Sequence, residues 1–97
     1  MNIEFHPLTA SDLNHAKIHY NQKRSGLGDE FRSEVYAAID RILRNPRQYP
    51  IIEQNIRRCL VHRFPYSIYF RLFNSGTIRV LVIRHHKRHP RLGLSRD

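Results

Sequence analysis

Between Arg57 and Asp97 ten Lys and Arg side chains stand against one acid, Asp97, and they are threaded through runs of Ile, Val, Leu, Phe and Tyr. A basic tail without apolar residues would stay disordered. This segment instead alternates with period two, so it must fold as strands with a covered face. In Thr77–Arg84, Ile78, Val80 and Val82 alternate with Arg79, Leu81 and Ile83, which makes both faces largely apolar and predicts a central strand. In Tyr66–Phe73, Ile68, Phe70 and Leu72 share one face and Tyr69, Arg71 and Phe73 the other. Ile56–Arg63 reads as a third strand, with turns at Phe64-Pro65 and Asn74-Ser75-Gly76. Loops this short predict an antiparallel meander.

The first 56 residues are different in kind. Seven basic residues balance seven acids, so the net charge of +9 belongs to the strand-forming half. Ile3 and Phe5 alternate with polar neighbours until Pro7, a short strand that joins the sheet through a helical crossover. Thr9 and Asp12 suggest a capping box opening a helix that buries Leu13, Ala16 and Tyr20 and leaves Lys17 and His19 in water. Ser25-Gly26-Leu27-Gly28 breaks it. Leu27, Phe31, Val35, Ala38, Ile39, Ile42 and Leu43 then recur at helical spacing until Asn45-Pro46. Acids in the first turn (Asp29, Glu30) and bases in the last (Arg41, Arg44) suit the helix dipole. The order β-α-α-β-β-β predicts one α+β domain over residues 1–97, an antiparallel sheet covered on one face by the two N-terminal helices. Pro90–Asp97 reads as irregular.

Several function classes are excluded or disfavoured. No apolar run approaches the ~18 residues a membrane span needs, and the N-terminus reads as neither signal peptide nor anchor. Cys59, the only cysteine, permits no internal disulfide and points to a cytoplasmic setting. No glycine-rich phosphate loop or paired acidic constellation is present, and no cofactor is expected. His85, His86 and His89 lack a Cys or carboxylate companion and sit among cations, so no metal is expected either. Excess positive charge on a folded face calls for an anionic macromolecule: nucleic acid, an acidic protein segment or an anionic surface.

Three local sequences narrow the choice: Ile3-Glu4-Phe5-His6-Pro7 followed by Asp12-Leu13, then Phe64-Pro65-Tyr66-Ser67-Ile68-Tyr69-Phe70, then Ile83-Arg84-His85-His86-Lys87-Arg88-His89-Pro90. With this element order and length, the chain resembles the RelE/ParE superfamily of toxins from bacterial type II toxin–antitoxin modules, over nearly its whole length. The resemblance implies a growth-inhibiting toxin held inactive by a cognate antitoxin in a hetero-oligomer. RelE-like members cleave mRNA in the ribosomal A site, whereas ParE-like members poison DNA gyrase. Of five positions that serve RNA cleavage in RelE-like proteins, Arg58 and Arg88 keep a cation. Leu60, Ser67 and Leu94 stand at or near the other three. Arginine clamps phosphate or carboxylate well but transfers protons poorly. The expectation is therefore a ParE-like gyrase inhibitor acting by binding, the alternative a ribosome-dependent mRNA interferase using Arg58, Arg84, His85 and Arg88. A third possibility is a protein that only binds its antitoxin. Histidines could supply proton transfer, though an ordinary solvated strand end explains them equally. Arg57, Arg63, Tyr66, Arg71, Arg79, His86 and Lys87 are the expected partner-binding set, singly ordinary surface groups and jointly a docking face for an acidic antitoxin segment.

Overall fold

A computed structural model describes residues 2–97. Strand β1 (Ile3–Phe5) leads into helices α1 (Leu8–Lys23) and α2 (Leu27–Arg44), a short 3-10 turn (Pro46–Gln48), then β2 (Ile51–Glu53), β3 (Ile56–Leu60), β4 (Tyr66–Leu72) and β5 (Ile78–His85). One five-stranded sheet has the order β1-β5-β4-β3-β2. The expected meander β3-β4-β5 is antiparallel, and β1 lies parallel to β5 beyond it, so the sheet is mixed.

The stripe read from α2 is the core. Phe31, Val35, Ala38 and Ile42 are wholly buried against Cys59, Ile68, Phe70, Ile78, Val80 and Ile83. Burying each such side chain contributes about 1.5–3 kcal/mol. Helix α1 buries only Thr9 and Ala16 and is held mainly by α2. Its backbone approaches α2 so closely that a Cβ on Gly28 would stand 2.1 Å from the Lys17 carbonyl oxygen. The Gly28 N–H donates to Asn21 Oδ1 at 2.7 Å, and Lys17 pairs with Asp29 at 3.2 Å.

Four readings change. The capping box does not form: α1 begins at Leu8 with no side-chain cap, and Thr9 Oγ1 donates back to the His6 carbonyl. Asp12 instead reaches β5, where its Oδ2 accepts the Ile83 N–H at 3.1 Å. The reason is topological. β1 pairs β5 only as far as Val80, so the next N–H on that edge needs another acceptor. Second, the strand expected over Ile56–Arg63 ends at Leu60, and a left-handed Arg63 (φ 71°) turns the chain. Third, Ile51–Glu53 adds a strand, too short and too lacking in alternation to read.

Fourth, β5 does not keep strict alternation. Tyr69 pairs Val82 while Phe70 pairs Val80, so Leu81 is an extra residue in a β-bulge. A one-residue insertion exchanges the faces beyond it. Val82 therefore joins Leu81 on the face away from the helices, and Ile83 turns inward to the main core. On the outer face Ile56, Tyr69, Leu81 and Val82 form a second cluster closed by Leu94. The irregular tail is thus a cover. Gly93 (φ +81°) lies so close to Val82 that an added Cβ would be 2.5 Å from its Cβ.

Candidate functional site

The ten basic side chains of the C-terminal half divide into three groups by what they touch. Arg63 pairs with Glu30 (2.7 Å) and Glu34 (3.5 Å), Arg79 with Glu4 (3.4 Å), Arg91 with Glu53 and Arg96 with Asp12 (2.7 Å). Arg57, Arg71 and Arg84 spend donors on backbone carbonyls: Arg57 on Tyr49 (2.7 Å), Arg71 on Gln54 and Arg84 on Leu92 (2.8 Å). Arg58, Lys87 and Arg88 remain, exposed and with no side-chain hydrogen bond or ion pair among the described residues. The broad basic face read from the sequence therefore contracts to the end of the sheet where β3 and β5 finish.

There a hollow of about 420 Å³ opens on the outer face, lined by Arg58, Leu60, Tyr69, Arg84, His86, Arg88 and Pro90. Register places Arg58 opposite Tyr69 on the outer face of the sheet. Arg88 sits in the turn closed by its N–H to the His85 carbonyl (3.1 Å), and the His86 N–H bonds the Pro65 carbonyl at 2.9 Å. His86 Nε2 lies 2.8 Å from Ser67 Oγ. Ser67 is fully buried, so this pair orients the ring and offers no accessible nucleophile.

Arg84 and His85 do not join Arg58 and Arg88 as a catalytic quartet. Arg84 is only 8% exposed. Its guanidinium stacks 4.1 Å from the Tyr69 ring centroid and donates to Tyr69 Oη at 3.1 Å. It is the strut between sheet and tail and lends the hollow a fixed positive wall. His85 points to the other side of β5, as strand alternation required, where its ring meets Tyr66 edge-on at 5.2 Å. Burial first, then the positive neighbours His86, Lys87 and His19, hold its pKa below the ordinary imidazole value, so it is mostly neutral at pH 7.

Of the expected partner-binding set, Tyr66 is half-buried in an aromatic cluster with Tyr20 and Phe31. Arg57, Arg63, Arg71 and Arg79 are engaged as described. His86 and Lys87 stay exposed beside the free arginines. The Cys59 thiol is buried and its pKa raised by that burial, consistent with a packing role. Among the described residues no group of three or more His, Cys, Asp or Glu side chains is arranged to hold a metal ion. No helix is long and apolar enough to cross a membrane. Sequence reasoning missed Pro90 and the wall formed by Arg84 on Tyr69. Their signal was weak, because the contacts join strand to tail.

The site can hold an anion between Arg58 and Arg88, with a fixed guanidinium behind and apolar Leu60 and Pro90 beside it. Comparison with known proteins places this arrangement. No curated protein matches the sequence significantly. Among solved structures, a chain from the "Chromosomal ParDE TA system from P. aeruginosa" superposes with a TM-score of 0.77 at 19% identity, over 88% of this chain and 95% of that one, a likeness of fold. The family model for the ParE toxin of type II toxin–antitoxin systems, parDE, matches residues 3–90. The chain belongs to the ParE toxin family.

Proposed function

We propose that this toxin inhibits growth by binding DNA gyrase, that a cognate antitoxin neutralises it in a cytoplasmic hetero-oligomer, and that it does not cut RNA. The observation that carries the reading is the separation of the would-be catalytic groups. Arg58 and Arg88 share the outer hollow, Arg84 is committed to Tyr69 and the tail, and His85 faces the opposite side of β5. Cleavage through a 2′-hydroxyl needs a general base and a general acid within hydrogen-bond reach of one phosphate. Two arginines and a lysine supply charge and geometry for gripping an anionic partner without proton transfer. The same free cations, with His86, suit an acidic antitoxin segment.

The test uses purified toxin with gyrase and plasmid DNA, and separately with programmed ribosomes. Trapped gyrase–DNA cleavage complexes with intact mRNA are expected. One observation favours the interferase alternative: His86, an exposed imidazole, lies in the same hollow as Arg58 and Arg88. Ribosome-dependent cuts that disappear in both Arg88→Ala and His86→Ala would replace the gyrase reading with that one.

A further inference from the structure

On the inner side of β5, a second hollow of about 350 Å³ separates the end of that strand from α1. Three imidazoles that the gyrase-binding reading does not use converge on it: His15 and His19 from α1 and His85 from β5. His15 and His19 are four residues apart, one above the other on a helix face. Ser11, one turn earlier, adds a hydroxyl, and Arg88 reaches the rim. The one acid at the wall, Asp12, is already engaged. It takes Arg96 through both oxygens, at 2.7 and 3.3 Å, besides the Ile83 N–H. Its charge is thereby matched inside the chain. Among the described residues no intramolecular hydrogen bond engages the Ser11 hydroxyl or the His15 and His19 rings. His85 Nδ1 accepts the Lys87 N–H at 2.9 Å, which puts the ring proton of the neutral form on Nε2, the atom left to donate.

We propose that this hollow binds a phosphate group, the tetrahedral anion of inorganic phosphate or of a mononucleotide. Donors approach from a helix face, a strand end and a turn, that is, from several directions around one point. A planar carboxylate is satisfied by a single fork, whereas a phosphate offers three strong acceptor oxygens and about −1.5 to −2 of charge at neutral pH. The volume lies at the low end of small-ligand sites, which span roughly 300–1,000 Å³. The apolar floor of Ala16, Ile83 and the Tyr66 ring excludes water from one side of the anion.

The experiment follows the imidazole carbon protons of the full chain by NMR while inorganic phosphate, or AMP, is added at constant ionic strength against sodium chloride. The expected result is a saturable shift of His15, His19 and His85 with one dissociation constant, while His62 and His89 stay still. His15→Gln/His19→Gln should weaken that binding at least tenfold with an unchanged unfolding midpoint. Both substituted positions are exposed and free of packing duties. Tighter binding of AMP than of phosphate identifies a nucleotide ligand, and equal binding identifies the free anion. Chloride producing the same shifts, all histidines moving together in proportion to added anion, or wild-type affinity in the double variant would each overturn the proposal.

Discussion

Asp12 ties three separate parts of the fold, and its removal gives a quantitative test of how the tail is held. The carboxylate receives Arg96 Nη1 at 2.7 Å, Arg96 Nη2 at 3.3 Å and the Ile83 N–H at 3.1 Å, linking α1, β5 and the tail. The two side chains are only 15% and 16% exposed. Breaking a fully buried pair costs about 3–5 kcal/mol, and a hydrogen bond to a charged group about 1.5–3 kcal/mol. Residual exposure lets Arg96 recover some water, so Asp12→Ala should cost ~2–4 kcal/mol. For a domain of this size that lowers the melting temperature by roughly 10–20 °C. Asp12→Asn keeps an acceptor for Ile83 and loses the charge, at about half the cost.

An acid near a helix N-terminus also favours the helix dipole, and the two causes need separating. Urea unfolding of Asp12→Ala, Arg96→Ala and the double variant does so. If the ion pair is responsible, the cycle should show a coupling of ~1–2 kcal/mol, because either single change already breaks the pair. Costs that add to within ~0.3 kcal/mol, or a loss below ~0.5 kcal/mol for Asp12→Ala, would refute the idea that this carboxylate anchors the tail.

Gly93→Ala forces a side chain into a left-handed position, at about 1–2 kcal/mol, and drives a methyl into Val82, so trypsin should cut at Arg91 and Arg96 far faster than in the parent while α2 stays intact. Phe31→Ala empties the centre of the aromatic cluster and should cost ~3–5 kcal/mol in urea unfolding, enough to leave little folded protein at 37 °C. Glu30 is held below the usual carboxylate range, first by its hydrogen bond from Arg63 and then by the Arg63 and Arg24 charges, against a smaller opposing effect of burial. The unfolded chain therefore binds more protons in that range. The contribution is present above the unfolded pKa and lost as pH falls through the folded one, so Glu30→Gln should flatten the acid side of a stability–pH profile. Arg58→Ala and Arg88→Ala, exposed and unpaired, should each leave stability within ~0.5 kcal/mol yet relieve growth inhibition on expression without antitoxin. Unchanged toxicity in both would remove the outer hollow from the mechanism.

What could be read ahead of the structure follows from short-range physics. The α2 stripe from Leu27 to Leu43 is a helix buried on that face because its spacing leaves no other way to cover the residues. The alternation in Tyr66–Leu72 fixed its two faces, and the opposite orientations of His85 and His86 followed from the same period. The three short motifs carried the family itself, which the match over residues 3–90 bears out. The second half of β5 was misread because a bulge is one residue of register, and Leu81 looks like any other apolar residue in a strand. Strand β2 was missed because three residues hold too few periods to show a pattern.

The sequence alone determined the layers, the core helix and the surplus of positive charge, since these depend on composition and on periods of two and 3.6. Which cations stay free was decided only by tertiary structure. The partners of Arg63, Arg79 and Arg96 come from the distant segments holding Glu30, Glu4 and Asp12, and Arg84 needs both Tyr69 and the tail. A charge can be counted residue by residue. Its neutralisation is a distance between groups far apart in the chain, and that distance exists only once the chain has folded.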